Sequence, residues 1–160
     1  MHKFDPFYYE NLFYTYELNI TEAEINQVLL LVKNDDTKEM KTTYNRLNVL
    51  NFPILNNLKK QVTNILDKQK LLLTDNWAQL YNINHEHGIH NHTNSYYSGI
   101  IYIKGNKTNP TIFYSKTFNK YLHEFKENTM LLFPSYIPHE VKQLTKNEKR
   151  LVISFNTKYG

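Results

Sequence analysis

The apolar positions of this chain change period near residue 72. Before it, Ile25, Val28, Leu29 and Val32 recur at helical spacing, and the pattern predicts a helix over 21–34. Thr21, three residues ahead of Glu24, supplies a capping box at its start, and Asn34-Asp35-Asp36 ends it. A second helix is predicted over 56–70. Leu55, Leu58, Val62, Ile65 and Leu66 line one side, Lys59, Lys60 and Lys68 fall elsewhere, and Pro53 sits upstream where it does no harm. Residues 1–20 read as aromatic and irregular. After residue 72, short β-rich runs alternate with turns. WAQLYNI (77–83), YYSGIIYIK (96–104), TIFYS (111–115), TMLLFPS (129–135), HEVKQL (139–144) and RLVISFN (150–156) read as strands. KGNKTNP (104–110) and TKNEK (145–149) read as turns. Helices followed by a train of strands predict an α+β chain, mainly β, whose later half is a sandwich or barrel.

Length and composition narrow this picture without redirecting it. A chain of 160 residues is expected to form one domain over 1–160, with helical support over about 1–72 and a β core over about 73–158. No cysteine is present, so disulfides and thiolate metal sites are excluded. The start of the chain lacks the features of a signal peptide, and no stretch approaches eighteen apolar residues. No membrane partner is expected, and the expected location is cytoplasmic. The net charge of +4 comes from scattered lysines offset by nearby acids, so nucleic acid is not the expected partner. Only two of the nineteen basic residues are arginine, Arg46 and Arg150, which makes those two informative.

The candidate chemistry begins in HEHGIHNHTNS (85–95), which holds four of the seven histidines. Such a patch suits a metal site, a proton-transfer site or a solvated loop, and the cluster alone leaves these open. His90 and His92, two residues apart at a strand edge, point to one face. They can hold a divalent cation if a third ligand arrives from elsewhere, and His139, after FPSYIP, is the available one. Arg150 opens the last strand, in which Arg150, Val152, Ser154 and Asn156 share a face. A guanidinium among apolar neighbours wants a carboxylate, which its planar fork grips bidentately. The alternative is an ordinary ion pair or an exposed arginine.

His90-x-His92, SGIIYI (98–103), FPSYIPH (133–139) and RLVISFN (150–156), in this order, resemble the 2-oxoglutarate- and Fe(II)-dependent oxygenases. Within them the chain is most similar to a small prolyl-hydroxylase-like group found in bacteria and their viruses. The resemblance covers about residues 75–157. It implies a double-stranded β-helix (a jelly roll, cupin-like), with the N-terminal helices packed on one sheet. It implies Fe(II), the cosubstrate 2-oxoglutarate and dioxygen, and a reaction coupling oxidative decarboxylation to succinate with hydroxylation of a substrate. Peptide or protein is the favoured substrate class, for example a prolyl residue. His90, His92 and His139 would be catalytic metal ligands. Arg150 would bind the distal carboxylate of 2-oxoglutarate, assisted by Ser154 and Tyr102, with Ser98 and Tyr81 as further candidates. His92 stands where the wider superfamily usually has aspartate. Either His-x-His is the group's own working variant, or Glu86 or Glu140 completes the site, or the iron is bound weakly.

His85 and His87 read as flanking or entrance residues, and His2 and His123 as surface. Ligation needs neutral imidazoles, so metal binding is expected to weaken as pH falls through about 6.5. Three other readings stand beside this one. A cupin-like metal enzyme would use the histidines without 2-oxoglutarate and would need no Arg150. A non-enzymatic β-sandwich would bind sugars or peptides. A nucleic-acid demethylase of the same superfamily would stack bases on Tyr8, Tyr9, Tyr14 and Tyr16.

Overall fold

The computed structural model describes residues 12–33, 40–117, 119–145 and 148–160; His2, Tyr8, Tyr9 and the Asn34-Asp35-Asp36 stop lie outside them. The two helices form where the periodicity puts them: α1 spans Glu22–Val32 and α2 spans Asn56–Lys68. The Thr21–Glu24 capping box is complete. Glu24 does more than close its own helix. Its Oε2 accepts from the Thr21 backbone, and its Oε1 accepts from the Leu58 backbone N–H, in the first turn of α2, at 3.1 Å. One buried carboxylate thus satisfies orphan donors at two helix N-termini, where the helix dipole favours negative charge.

Ten strands follow or flank the helices. They are β1 (Tyr14–Glu17), β2 (Lys41–Thr42), β3 (Leu71–Tyr81), β4 (His87–His90), β5 (Tyr97–Lys104), β6 (Thr111–Tyr114), β7 (Lys120–His123), β8 (Thr129–Pro134), β9 (His139–Val141) and β10 (Arg150–Tyr159). All six strands read from β-rich runs are present, the first starting earlier, at Leu71. β4 is the strand edge expected at His90, though it ends before His92. Three others lie in segments where no strand is predicted: β1, within the stretch expected to be irregular, the two-residue β2, and β7. Their two to four residues are too few for alternation to show.

The strands make two antiparallel sheets. A six-stranded sheet runs β1-β8-β5-β10-β3-β2, and a four-stranded sheet runs β4-β9-β6-β7. From β3 to β10 the chain passes repeatedly between the sheets, which is the winding of a double-stranded β-helix. Period-2 alternation sorts the side chains into two cores. Leu151, Ile153 and Phe155 of β10 point outward and pack with Val28, Val32, Leu58, Val62 and Leu66 of the helices. Val152, Ile100, Leu131, Phe113 and Phe133 point inward, between the sheets. Each such burial is worth about 1.5–3 kcal/mol. The helices therefore cover the outer face of the large sheet and leave the inner face to the barrel. Gly99 on β5 is a close-approach glycine: a Cβ there would lie 2.0 Å from the Phe155 ring. Among the described residues, no helix is long and apolar enough to cross a membrane.

Candidate metal and anion site

The inter-sheet space opens at one end into a cavity lined by histidines at its mouth and by Arg150 further in. The register of the small sheet assembles the histidines. His90, last in β4, pairs directly with His139, first in β9. His92 lies two residues beyond β4 and is pinned by its backbone N–H, which donates to the Ser135 carbonyl at 2.9 Å. The ligand atoms of His90, His92 and His139 all lie within 4.8 Å of one another. The His90 and His92 ring centroids are 5.4 Å apart, and those of His90 and His139 are 4.3 Å apart.

Tautomers follow from the partners. His90 Nδ1 lies 2.8 Å from the Gly88 carbonyl, and His139 Nδ1 lies 3.0 Å from the Ile137 carbonyl. A carbonyl only accepts, so each Nδ1 carries the proton and each Nε2 offers its lone pair. Burial keeps His139 and His92 neutral. It holds His139 well below the ordinary histidine range, and the neighbouring His90 adds to the effect. Burial, then His90, brings His92 down to about 4. At His92 and His139, the neutral form that a metal needs therefore persists below pH 6.5. Trp77 packs on the His92 ring at 5.9 Å, and Phe133 packs on His139 at 5.0 Å.

The carboxylates considered as completing ligands lie elsewhere. Glu86 is exposed. Glu140 accepts from the Tyr114 hydroxyl and pairs with Lys142 at 2.9 Å. Among the described residues, the one group arranged to hold a cation consists of the three imidazoles.

Arg150 is 1% exposed, yet no carboxylate pairs with it among the described residues. Glu148, the nearest acid in sequence, accepts instead from Asn106, Thr108 and Asn109. Arg150 Nη2 donates to Thr111 Oγ1 at 2.9 Å, and its Nε has no partner. Its guanidinium lies 5.0 Å from the Tyr81 ring centroid. A buried cation with an orphaned N–H is costly unless an anion completes it. Thr111 Oγ1 also lies 2.9 Å from the Tyr102 hydroxyl. Thr111 accepts from Arg150, and the two hydroxyls share one further bond. One O–H proton of the pair is therefore left over for an acceptor. The donor set of this site, three imidazoles and an under-satisfied guanidinium, fits a divalent cation and a carboxylate held in one cavity.

The remaining candidates separate. Tyr81 and Ser154 line the cavity, and Ser154 Oγ donates to Gln79 Oε1 at 2.8 Å. Tyr102 stands behind Arg150 and reaches the site through Thr111. Ser98 is not among the lining residues; its hydroxyl donates to Asn156. His85 holds the turn before β4, where its Nδ1 accepts from the Asn82 backbone. His123 departs from the surface expectation. It is half-buried against the Tyr102 ring at 5.6 Å, and burial lowers its pKa to about 4. Sequence reasoning passed over Thr111 and Gln79. Thr111 opens a strand and faces inward, but a lone inward threonine carries no signal until its partners are known.

No family model matches the sequence, and comparison with the curated proteins finds no match. Solved structures do match. A viral collagen prolyl hydroxylase from Paramecium bursaria Chlorella virus-1, in complex with 2-oxoglutarate, superposes with a TM-score of 0.65 at 9% identity, over 93% of this chain and 96% of that one. A 2-oxoglutarate/Fe(II) oxygenase-family oxidoreductase from Burkholderia pseudomallei gives 0.65 at 9% identity, over 93% and 86%. HygX from Streptomyces hygroscopicus, with nickel and 2-oxoglutarate bound, gives 0.67 at 10% identity, over 92% and 83%. With its two sheets, outer helices and strand winding, the chain has the double-stranded β-helix fold of the 2-oxoglutarate- and Fe(II)-dependent oxygenases.

Proposed function

We propose that this protein is a non-haem Fe(II), 2-oxoglutarate-dependent dioxygenase that hydroxylates its substrate. The observation that carries the reading is the shared cavity: three converging imidazoles and a buried guanidinium whose Nε lacks a partner. His90, His92 and His139 would hold the metal, the first and last through Nε2. When bound, Fe(II) with 2-oxoglutarate and dioxygen supplies the oxidising power, and succinate and carbon dioxide are released.

The chain's own side chains do the positioning. Arg150 grips the distal carboxylate of 2-oxoglutarate with charge-assisted hydrogen bonds. The Thr111–Tyr102 hydroxyl pair adds a donor and orients the fork. Ile100, Phe133, Val141 and Val152 keep the cavity dry, which strengthens each polar contact. No general base is required of the protein. A three-histidine set brings no anionic ligand, so a metal held there would be more electropositive than in a site with one carboxylate.

A residue within a polypeptide, such as proline, is the favoured primary substrate, in keeping with the fold shared with a viral collagen prolyl hydroxylase. The activity belongs, on this reading, to the cytoplasm. A cupin-like enzyme without 2-oxoglutarate would leave the buried Arg150 without a purpose, and a surface binding module would not bury His139. The test is succinate release from 2-oxoglutarate with Fe(II) and dioxygen, run over a panel of peptides, free amino acids and nucleic acids. Succinate formation that requires Fe(II), and that is lost in Arg150→Ala, is expected. Metal-loaded protein that binds no 2-oxoglutarate overturns the reading.

A further inference from the structure

His87 belongs to no motif used so far, yet it lines the same cavity. Its ring stacks on His90 at 3.8 Å with the planes 23° apart. Its Nδ1 lies 3.5 Å from the Tyr81 hydroxyl, and the Tyr81 ring lies 5.0 Å from the Arg150 guanidinium. Guanidinium, phenol and two imidazoles therefore form one continuous wall, from the anion-binding end of the cavity to the metal-binding trio.

A local change of register produces this wall. Along a regular strand, residues 87 and 90 would face opposite sides. Here His90 pairs with His139 while His87 pairs with Val141, so three steps on β4 match two on β9. The shift has the form of a β-bulge, with one extra residue on β4, and it turns His87 inward beside His90. Gly88 lies in the bulge, and Ile89 takes the outward position.

We propose that His87 is a specificity-determining residue that sets the width of the 2-oxoacid channel. This inference rests on the function proposed above and adds to it. The separation between Arg150 and the trio fixes how long a bound 2-oxo diacid can be. The Tyr81–His87 wall lies alongside that span and fixes how broad it can be. An unbranched five-carbon chain passes beside the stacked rings, whereas a methyl branch on its middle carbons meets the His87 imidazole. His87 thus excludes branched 2-oxo diacids and, by stacking, also holds the His90 ring in place.

The experiment measures binding in the Zn(II)-loaded full chain by calorimetry, without turnover. The probes are 2-oxoglutarate, 3-methyl-2-oxoglutarate and the longer 2-oxoadipate. Wild type is expected to prefer 2-oxoglutarate to both others by at least tenfold. His87→Ala should narrow the preference over the branched acid to threefold or less while leaving the preference over 2-oxoadipate in place. His87→Phe, which keeps a flat ring against His90 and loses the Tyr81 contact, should restore rejection of the branched acid. Quenching of the single tryptophan, Trp77, by Co(II) checks that each variant still loads metal, and thermal melting checks its fold. If wild type binds metal but no 2-oxoglutarate, the proposed function fails. If wild type binds 2-oxoglutarate selectively and His87→Ala keeps the full preference over the branched acid, the role of His87 alone is overturned. Equal loss of both preferences also overturns it, because His87 would then be fixing length and not width.

Discussion

Replacing Arg150 with methionine separates a guanidinium kept for a ligand from one kept for the fold. In the free protein Arg150 is buried, donates to Thr111 and leaves Nε unsatisfied. The substitution removes an orphaned donor, whose burial costs about 1–3 kcal/mol. It also loses the charged hydrogen bond to Thr111, about 1.5–3 kcal/mol, and ring contacts of about 0.5–2 kcal/mol. Methionine keeps much of the stem's packing, and the Tyr102 hydroxyl remains as a partner for Thr111. At their midpoints these contributions leave a net loss of about 1.5 kcal/mol. Metal-free Arg150→Met should stay within about 2 kcal/mol of wild type by urea denaturation.

Cosubstrate binding has no such compensation. A bidentate carboxylate loses two charge-assisted bonds of about 1.5–3 kcal/mol each. At about 1.4 kcal/mol per tenfold, the affinity for 2-oxoglutarate should fall by roughly 10² to 10⁴. Calorimetry on Zn(II)-loaded protein reads this loss, with metal uptake checked separately. A structural arginine behaves in the opposite way. If an acid were buried against it, removing the cation would strand that acid and cost about 3–5 kcal/mol. A destabilisation above about 3 kcal/mol, or 2-oxoglutarate affinity within about threefold of wild type, refutes the reasoning.

Three further outcomes are expected. Burial lowers His92 and His123 to about 4, so between pH 6.5 and about 4 the unfolded chain binds more protons at both; stability of the metal-free fold present above 6.5 should drain away across that window, and a flat urea midpoint there contradicts it. Gly99→Ala should destabilise by about 1–3 kcal/mol or more, because the new Cβ meets the Phe155 ring; a wild-type melting temperature would show that the ring moves freely. Glu24→Ala strips donors at two helix starts and should cost about 1–3 kcal/mol by urea denaturation, whereas a loss below about 0.5 kcal/mol would mean water replaces the carboxylate at both.

Much of this architecture was legible because its periods are clean. RLVISFN keeps its alternation of faces despite a register shift against β5 between Leu151 and Val152, so the inward placement of Arg150, Val152 and Ser154 and the outward placement of Leu151, Ile153 and Phe155 follow from counting by two. His90 and His92 converge as the same count predicts, although β4 ends at His90 and the backbone bond to Ser135 is what places His92. The two helices carried both a stripe and, for α1, a cap. The strands without a signal, β1, β2 and β7, have two to four residues each, and tertiary pairing decides them.

The part of the site that stayed hidden depends on departures from that period and on pairings distant in sequence. Counting by two puts His87 outside the cavity, and a register shift on β4 brings it in. Thr111 matters only because β6 sets it within reach of Arg150, 39 residues later, and of Tyr102, nine residues earlier. Ser98 shows the converse. It shares parity with Ile100 and Tyr102, which made it a candidate, but it sits at the far end of the strand opposite Asn156 and takes its hydrogen bond there. Parity tells which face a side chain takes, while depth along the barrel and local bulges decide whether it reaches the cavity. Chemistry carried by face alone was therefore readable, and chemistry carried by depth and register required the fold.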